Sequence, residues 1–332
     1  MRELTFHGGR LEAAARRFPA APVPWLDLST GINPHPWHPP APLTIDQHRL
    51  PPPEALDALL TAARAAFGFA GALTAVPGSE LGLRLLALLD LPRPWRMVTP
   101  CYRTHRDVLP GATPIVAEAV EEAAGAGGTI LLANPNNPDG RLFAPATLLR
   151  IARRLGASGG VLVIDEAFVD AVAGARILPL LTADDPVIVS RSFGKFYGLA
   201  GVRLGFVAGA AGWVAGIAAL AGDWPVSATA LAYGTAAYRD AGWGEAMRAR
   251  LTVEAAALDA LLVAHGLHAT GACPLFRLIE RVDAADLFAR LAHAGILTRP
   301  FEEDGAWLRI GLPGAGRERL AAALTGHAGA RG

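Results

Sequence analysis

The chain has 332 residues, 52% of them apolar and 18% charged, with 37 glycines and 26 prolines; this is the composition of a folded protein with many turns, long enough for two domains, and it excludes intrinsic disorder. Its 30 basic and 30 acidic residues cancel, which leaves no electrostatic footprint for nucleic acid or an anionic membrane and points to a small-molecule partner. The two cysteines, Cys101 and Cys273, are too few for a disulfide framework and lack metal-ligand spacing, so a reducing cytoplasm and no metal site are expected.

The N-terminal MRELTFHGGR has no apolar core of the kind a signal peptide needs. A short helical patch is expected over residues 11–18, followed by Trp25-Leu26-Asp27-Leu28 and a proline-dense run over 34–42 that suits an extended arm lying on another surface. Apolar spacing predicts helices over 53–67, 79–89 and 146–155, and strands near 97–99, 115, 130–133, 161–164 and 187–189. Short apolar strands alternating with helices imply an α/β fold with a mostly parallel sheet covered on both faces, whose ligand sits beyond the carboxyl ends of the strands. Residues 205–222 carry no charge, a length near the lower limit for a membrane span. Their glycines and alanines, with a break at 209–212, read instead as a buried strand leading into a helix. From Ser227 a long helical region leads to strands near 275–279, 296–298 and 307–310, with helices over 284–294 and 317–324, an α+β unit. The expected division is an N-terminal arm over 1–42 that joins the small domain, a large domain over 43–243, and a small domain over 244–332.

Chemistry-bearing residues cluster where strands end. Pro77-Gly78-Ser79-Glu80 opens a helix whose free N–H groups and dipole can hold a phosphate; it also reads as an ordinary helix start. Tyr102, in Pro100-Cys101-Tyr102, offers either a flat apolar face or a half-buried ring with its hydroxyl in water. In Asn134-Pro135-Asn136-Asn137-Pro138-Asp139-Gly140 two prolines and a glycine fix a turn after a buried strand, and turn chemistry alone accounts for it. Asp165 and Glu166 close a buried strand with two carboxylates, which need partners because unpaired buried charge is costly. Lys195 lies in a glycine-punctuated turn within VSRSFGKFYGLAGVRLGF, residues 189–206. A phosphate-cradling P-loop would need glycine at Val189 and a hydroxyl at Phe196, so that reading fails. Two remain: a solvated lysine in a surface turn, or a lysine that forms a Schiff base with pyridoxal phosphate, with Ser192 and Arg203 available for the phosphate.

Ser192-x-x-Lys195 followed by Gly198-Leu199-Ala200-Gly201-x-Arg203-x-Gly205-Phe206 resembles the fold-type I pyridoxal-phosphate aminotransferase superfamily. Within it the chain is similar to the threonine-phosphate decarboxylases of cobalamin biosynthesis, relatives of the histidinol-phosphate aminotransferases, from His7 to about Pro313. The resemblance implies a seven-stranded-type large domain, a homodimer, and a cofactor held by Gly78, Ser79, Glu80, Tyr102, Asn137, Asp165, Ser192, Lys195 and Arg203. Tyr102 would stack on the pyridine ring, Asn137 would donate to its phenolic oxygen, and Asp165 would keep its nitrogen protonated. Lys195 and Asp165 would be the catalytic pair. The substrate's carboxylate would fall to Arg309 and its phosphate to Arg299 and the His7-Gly8-Gly9 run, with Asn33 and Asn137 beside it. Departures from the family pattern are Asp139 for a usual threonine, Phe168 where transaminases often have tyrosine, and Leu50 for a tyrosine that reaches the neighbouring subunit's cofactor phosphate. Phe168 and the His7-Gly8-Gly9 run favour the decarboxylation of O-phospho-L-threonine. The alternatives are histidinol-phosphate transamination and a cofactor-binding protein without turnover.

Overall fold

A seven-stranded sheet organises residues 36–248 of the computed structural model, which describes residues 2–325. Across the sheet the strands are Ala72–Val76, Gly205–Gly209, Val187–Ser192, Val161–Glu166, Thr129–Ala133, Trp95–Thr99 and Thr113–Val116. Gly205–Gly209 runs antiparallel to both neighbours, and the remaining pairings are parallel. The central strands are buried at every position, which is why their sequences read as continuous apolar runs without alternation. On one face Val76, Leu131, Val163, Ile188 and Val207 pack with Leu83 and Leu86 of helix Ser79–Leu86 and with Val214 and Ile217 of helix Ala211–Ala221. The uncharged segment 205–222 is thus a core strand and a covering helix. Among the described residues no helix is long and apolar enough to cross a membrane.

Helix Pro53–Phe67 has the bounds that its sequence predicts, because proline occupies its first turn and Gly68 closes it in the left-handed region at φ 65°. The helical stretch after Ser227 is two helices, Ala228–Arg239 and Ala241–Ala264; the Ser227 hydroxyl caps the first by accepting the Ala230 N–H at 3.1 Å.

The second compact unit combines the described residues up to His35, Pro138–Gly140, and the chain from Ala249. Its sheet has the order Arg299–Pro300, Trp307–Gly311, Phe276–Glu280, Ala269–Thr270, antiparallel throughout. Leu26–Asp27 pairs in parallel with Ile296–Leu297, which ties the N-terminal segment into this unit. The units change over at His35/Pro36 and Arg248/Ala249, where the sequence suggests 42/43 and 243/244. Gly242 and Gly244, the turn signal behind the second of those, lie inside helix Ala241–Ala264.

Below the carboxyl edge of the large sheet lies a buried ionic cluster. Arg191, fully buried on the strand before Lys195, donates to Glu166 at 2.8 Å and to Asp170, and Arg176 reaches Asp170 at 3.1 Å. Burial opposes the charge on Asp170, but Arg191 and Arg176 outweigh it and hold its carboxyl below the usual range. Burial of Glu166 prevails over Arg191 and raises its carboxyl. The Arg191 guanidinium also lies 4.3 Å from the Phe67 ring centroid. Arg191→Met is expected to destabilise the protein by about 3–5 kcal/mol, because it leaves buried carboxylates uncompensated. The Asp170 contribution is present above the unfolded carboxyl range and is lost as pH falls through its lowered value. The stability gap between wild type and R191M, read from urea melts, should therefore hold from about pH 7 to about pH 4 and narrow as the pH falls further.

Candidate active site

Five strand ends of the large sheet bring the motif residues to one edge. Gly78, with φ 90°, precedes helix Ser79–Leu86, whose first N–H groups lack intrahelical partners. A Cβ on Gly78 would stand 2.6 Å from an Arg203 guanidinium nitrogen, so glycine is what admits that guanidinium to the helix start. Arg203 has φ 56°, the one positive φ of a non-glycine among the described residues, a strained backbone that delivers its side chain there. Ser192 is paired in register with Gly205, where a Cβ would stand 2.4 Å from the Ser79 nitrogen. The helix N-terminus, Ser192 and Arg203 therefore make a cradle of donors suited to an anion.

Lys195 sits half-buried in the turn after Ser192. The turn is fastened on both sides by aromatic residues: Phe193 stacks on Tyr197 at 4.7 Å, Tyr197 stacks on Trp243 at 5.3 Å, and Tyr197 accepts the Trp37 N–H through its carbonyl at 2.9 Å. The Lys195 Nζ lies 5.5 Å from the centroid of Phe168, a ring without a hydroxyl. The lysine is thus held at the sheet edge by its neighbours, unlike a solvated surface lysine.

Asp165 is 5% exposed at the end of its strand. One carboxylate oxygen accepts the Ala167 N–H at 3.0 Å and the other lies 3.1 Å from His105 Nε2. His105 is fully buried, and its Nδ1 has no hydrogen-bond partner among the described residues. Sequence reasoning missed this histidine; its position three residues after Tyr102, on the helix that follows the strand, was the available signal. The Tyr102 and His105 rings meet edge to face at 5.8 Å and 87°. Asn134 and Asn136 are buried and lock their turn: Asn134 exchanges bonds with the Phe143 backbone at 3.2 and 2.7 Å, and Asn136 donates to the Pro100 carbonyl at 2.9 Å. Asn137, the residue presented at that turn, is half-buried.

Glu80 contributes its backbone to the helix start, but its carboxylate turns elsewhere. It accepts the Tyr102 hydroxyl at 2.8 Å, the Thr104 hydroxyl at 2.9 Å and Arg84 Nε at 2.9 Å. Burial and this carboxylate raise the Tyr102 phenol above its ordinary pKa, which keeps it a donor.

The smaller unit gathers the other predicted residues. Arg299 and Arg309 stand directly opposite each other on neighbouring antiparallel strands, on one face of the sheet, 8% and 5% exposed. Like charges so placed repel and favour an anionic ligand. Arg309 lies 4.9 Å from the Phe276 ring and donates to the Ser29 carbonyl at 2.6 Å. Ser29, a residue that sequence reasoning missed, also accepts the Gly9 N–H at 2.7 Å and donates to Asp27 at 2.6 Å. A Cβ on Gly8 would stand 2.5 Å from the Ser29 carbonyl oxygen, so the His7-Gly8-Gly9 run packs on the same residue as Arg309. Asn33 is 3% exposed and accepts the His35 N–H at 2.9 Å.

The large-unit arrangement fits pyridoxal phosphate: a cradle for the phosphate, a histidine-held carboxylate for the ring nitrogen, and an amine for the aldehyde carbon. The family model described as "Aminotransferase class I and II" matches residues 114–326. A threonine-phosphate decarboxylase from Sinorhizobium sp. is 41% identical over 96% of this chain and 97% of that protein. Another from Pseudomonas aeruginosa is 38% identical over 96% and 97%. Among solved structures, histidinol-phosphate aminotransferase from Sinorhizobium meliloti in complex with pyridoxal-5'-phosphate is similar with a TM-score of 0.77 and 21% identity, over 94% of this chain and 92% of that one. Both sequence and fold place the protein: the chain belongs to the aminotransferase class I and II family.

Proposed function

We propose that the protein is a pyridoxal-phosphate enzyme that decarboxylates O-phospho-L-threonine to (R)-1-aminopropan-2-ol phosphate, for cobalamin biosynthesis. The observation that carries this reading is the likeness, over nearly the whole chain, to two threonine-phosphate decarboxylases. Two arginines at paired positions on neighbouring strands, Arg299 and Arg309, support it, since the substrate carries both a carboxylate and a phosphate.

Bound in the cradle, the cofactor supplies a sink for the electron pair left when a bond to the substrate's α-carbon breaks. Asp165, oriented by His105, would stabilise a proton on the ring nitrogen. Arg309 receives the carboxylate, and Arg299 with His7 receives the phosphate. Lys195 Nζ would hold the cofactor at rest; displaced by the substrate's amino group and taking up the proton that group gives off, it would be the acid that returns a proton to the α-carbon once carbon dioxide has left. Phe168 places no competing hydroxyl beside that amine. A cytoplasmic location and a homodimer belong to the same proposal. Leu50 is 66% exposed and Trp224 56%, on an apolar groove suited to a second copy, although leucine cannot donate a hydrogen bond to a phosphate there.

The test is turnover of O-phospho-L-threonine by cofactor-loaded protein with no oxo acid added. Carbon dioxide and the amine phosphate are expected in equal amounts; cofactor-loaded protein that releases neither would sink the proposal.

A further inference from the structure

Glu80 presents a conflict. It places a carboxylate in the first turn of the helix whose N-terminus, with Arg203 and Ser192, forms the anion cradle. A negative charge there complements the helix dipole, yet it also repels the phosphate that the cradle is built for. The side chain resolves this by turning away, onto three donors from outside the cradle. Both carboxylate oxygens accept the Thr104 hydroxyl at 2.9 Å, one accepts the Tyr102 hydroxyl at 2.8 Å, and the other accepts Arg84 Nε at 2.9 Å. Arg84 continues to Asp107 at 3.2 Å, on the same short helix as Thr104 and His105.

The tip of the Tyr102 ring is therefore pinned by Glu80, and its edge is pinned by His105, which holds Asp165. Glu80, Tyr102, His105 and Asp165 form one continuous line of contacts from the phosphate end of the site to the ring-nitrogen end. A tyrosine ring without the first of these contacts keeps its freedom about χ1 and χ2, and a stacking face that swings gives up contact with a flat ligand.

Resting on the proposed cofactor site, we infer that Glu80 is a positioning residue: it fixes the plane of Tyr102 against the cofactor ring, and it does so as a hydrogen-bond acceptor and not through its charge. Glu80→Gln keeps an acceptor oxygen and removes the charge; Glu80→Ala removes both. Tyr102→Phe keeps the ring and removes the hydroxyl.

The experiment measures pyridoxal phosphate affinity of the apoproteins and the visible circular dichroism of the bound cofactor, which reports how the ring sits among its neighbours. E80A and Y102F are each expected to weaken affinity about tenfold and to change the dichroism alike. In the double variant the two effects should not multiply, because the Glu80–Tyr102 contact that each change removes is the same one. E80Q should stay within about twofold of wild type. Three results would each overturn the inference: E80A with wild-type dichroism, effects of E80A and Y102F that multiply, or E80Q as weak as E80A. Should E80A fold poorly, the comparison of E80Q with Y102F decides alone, since only the latter should alter the dichroism. Failure of the wild-type protein to take up pyridoxal phosphate would instead overturn the cofactor site and this inference with it.

Discussion

Lys195→Ala should abolish covalent cofactor attachment and lower turnover by about 10⁴-fold or more, since it removes both a nucleophile and a proton donor. The protein should still fold, because the aromatic residues that anchor the turn, Phe193, Tyr197 and Trp243, are untouched. Lys195→Arg sharpens the test. Arginine keeps the positive charge but stays protonated and cannot form the attachment, so it should be as inactive as alanine. The proposed phosphate cradle of helix start, Ser192 and Arg203 does not include the lysine, so K195A should retain loosely bound pyridoxal phosphate that dialysis removes. The visible absorbance of wild type, its loss in both variants, and a reduced lysine adduct mapped to residue 195 by mass are the readouts. A coloured adduct that persists in K195A would place the attachment on another residue.

Asp165→Asn should lower turnover by about 10²–10³-fold, the usual cost of removing one preorganised electrostatic group. Asparagine preserves the shape and can still bond His105, so the fold should hold. What it loses is the charge proposed to keep a ring nitrogen protonated. Asp165→Ala should add a stability cost of about 1–3 kcal/mol, because His105 is fully buried and loses its partner. Steady-state turnover at saturating cofactor, beside thermal melts, separates the two effects. Turnover of D165N within about threefold of wild type would show that the carboxylate does not act on the ring.

Local chemistry made much of this legible in the sequence. Pro53 and Gly68 mark both ends of one helix, and the run before Asp165 and Glu166 reads as a buried parallel strand. The shared placement of Gly78, Asp165, Ser192 and Arg203 at one sheet edge was legible because strand ends and helix starts carry their own signals. What stayed hidden depends on pairs far apart in the chain. His105 meets Asp165 across 60 residues, and Arg309 meets Ser29 across 280. No spacing rule connects such residues. The setting of the Glu80 side chain stayed hidden for a related reason: its place at a helix start speaks only for its backbone N–H, and only the fold brings Tyr102 and Thr104 to its carboxylate. The unit boundary near residue 248 was illegible because Gly242 and Gly244, usual turn signals, are absorbed into a helix.

The reaction itself is tested most directly by partition in one vessel. Cofactor-loaded protein is given O-phospho-L-threonine, histidinol phosphate and 2-oxoglutarate together, and carbon dioxide and glutamate are measured over time. Carbon dioxide with no glutamate is the predicted result; glutamate with no carbon dioxide would make the protein a transaminase and contradict the account.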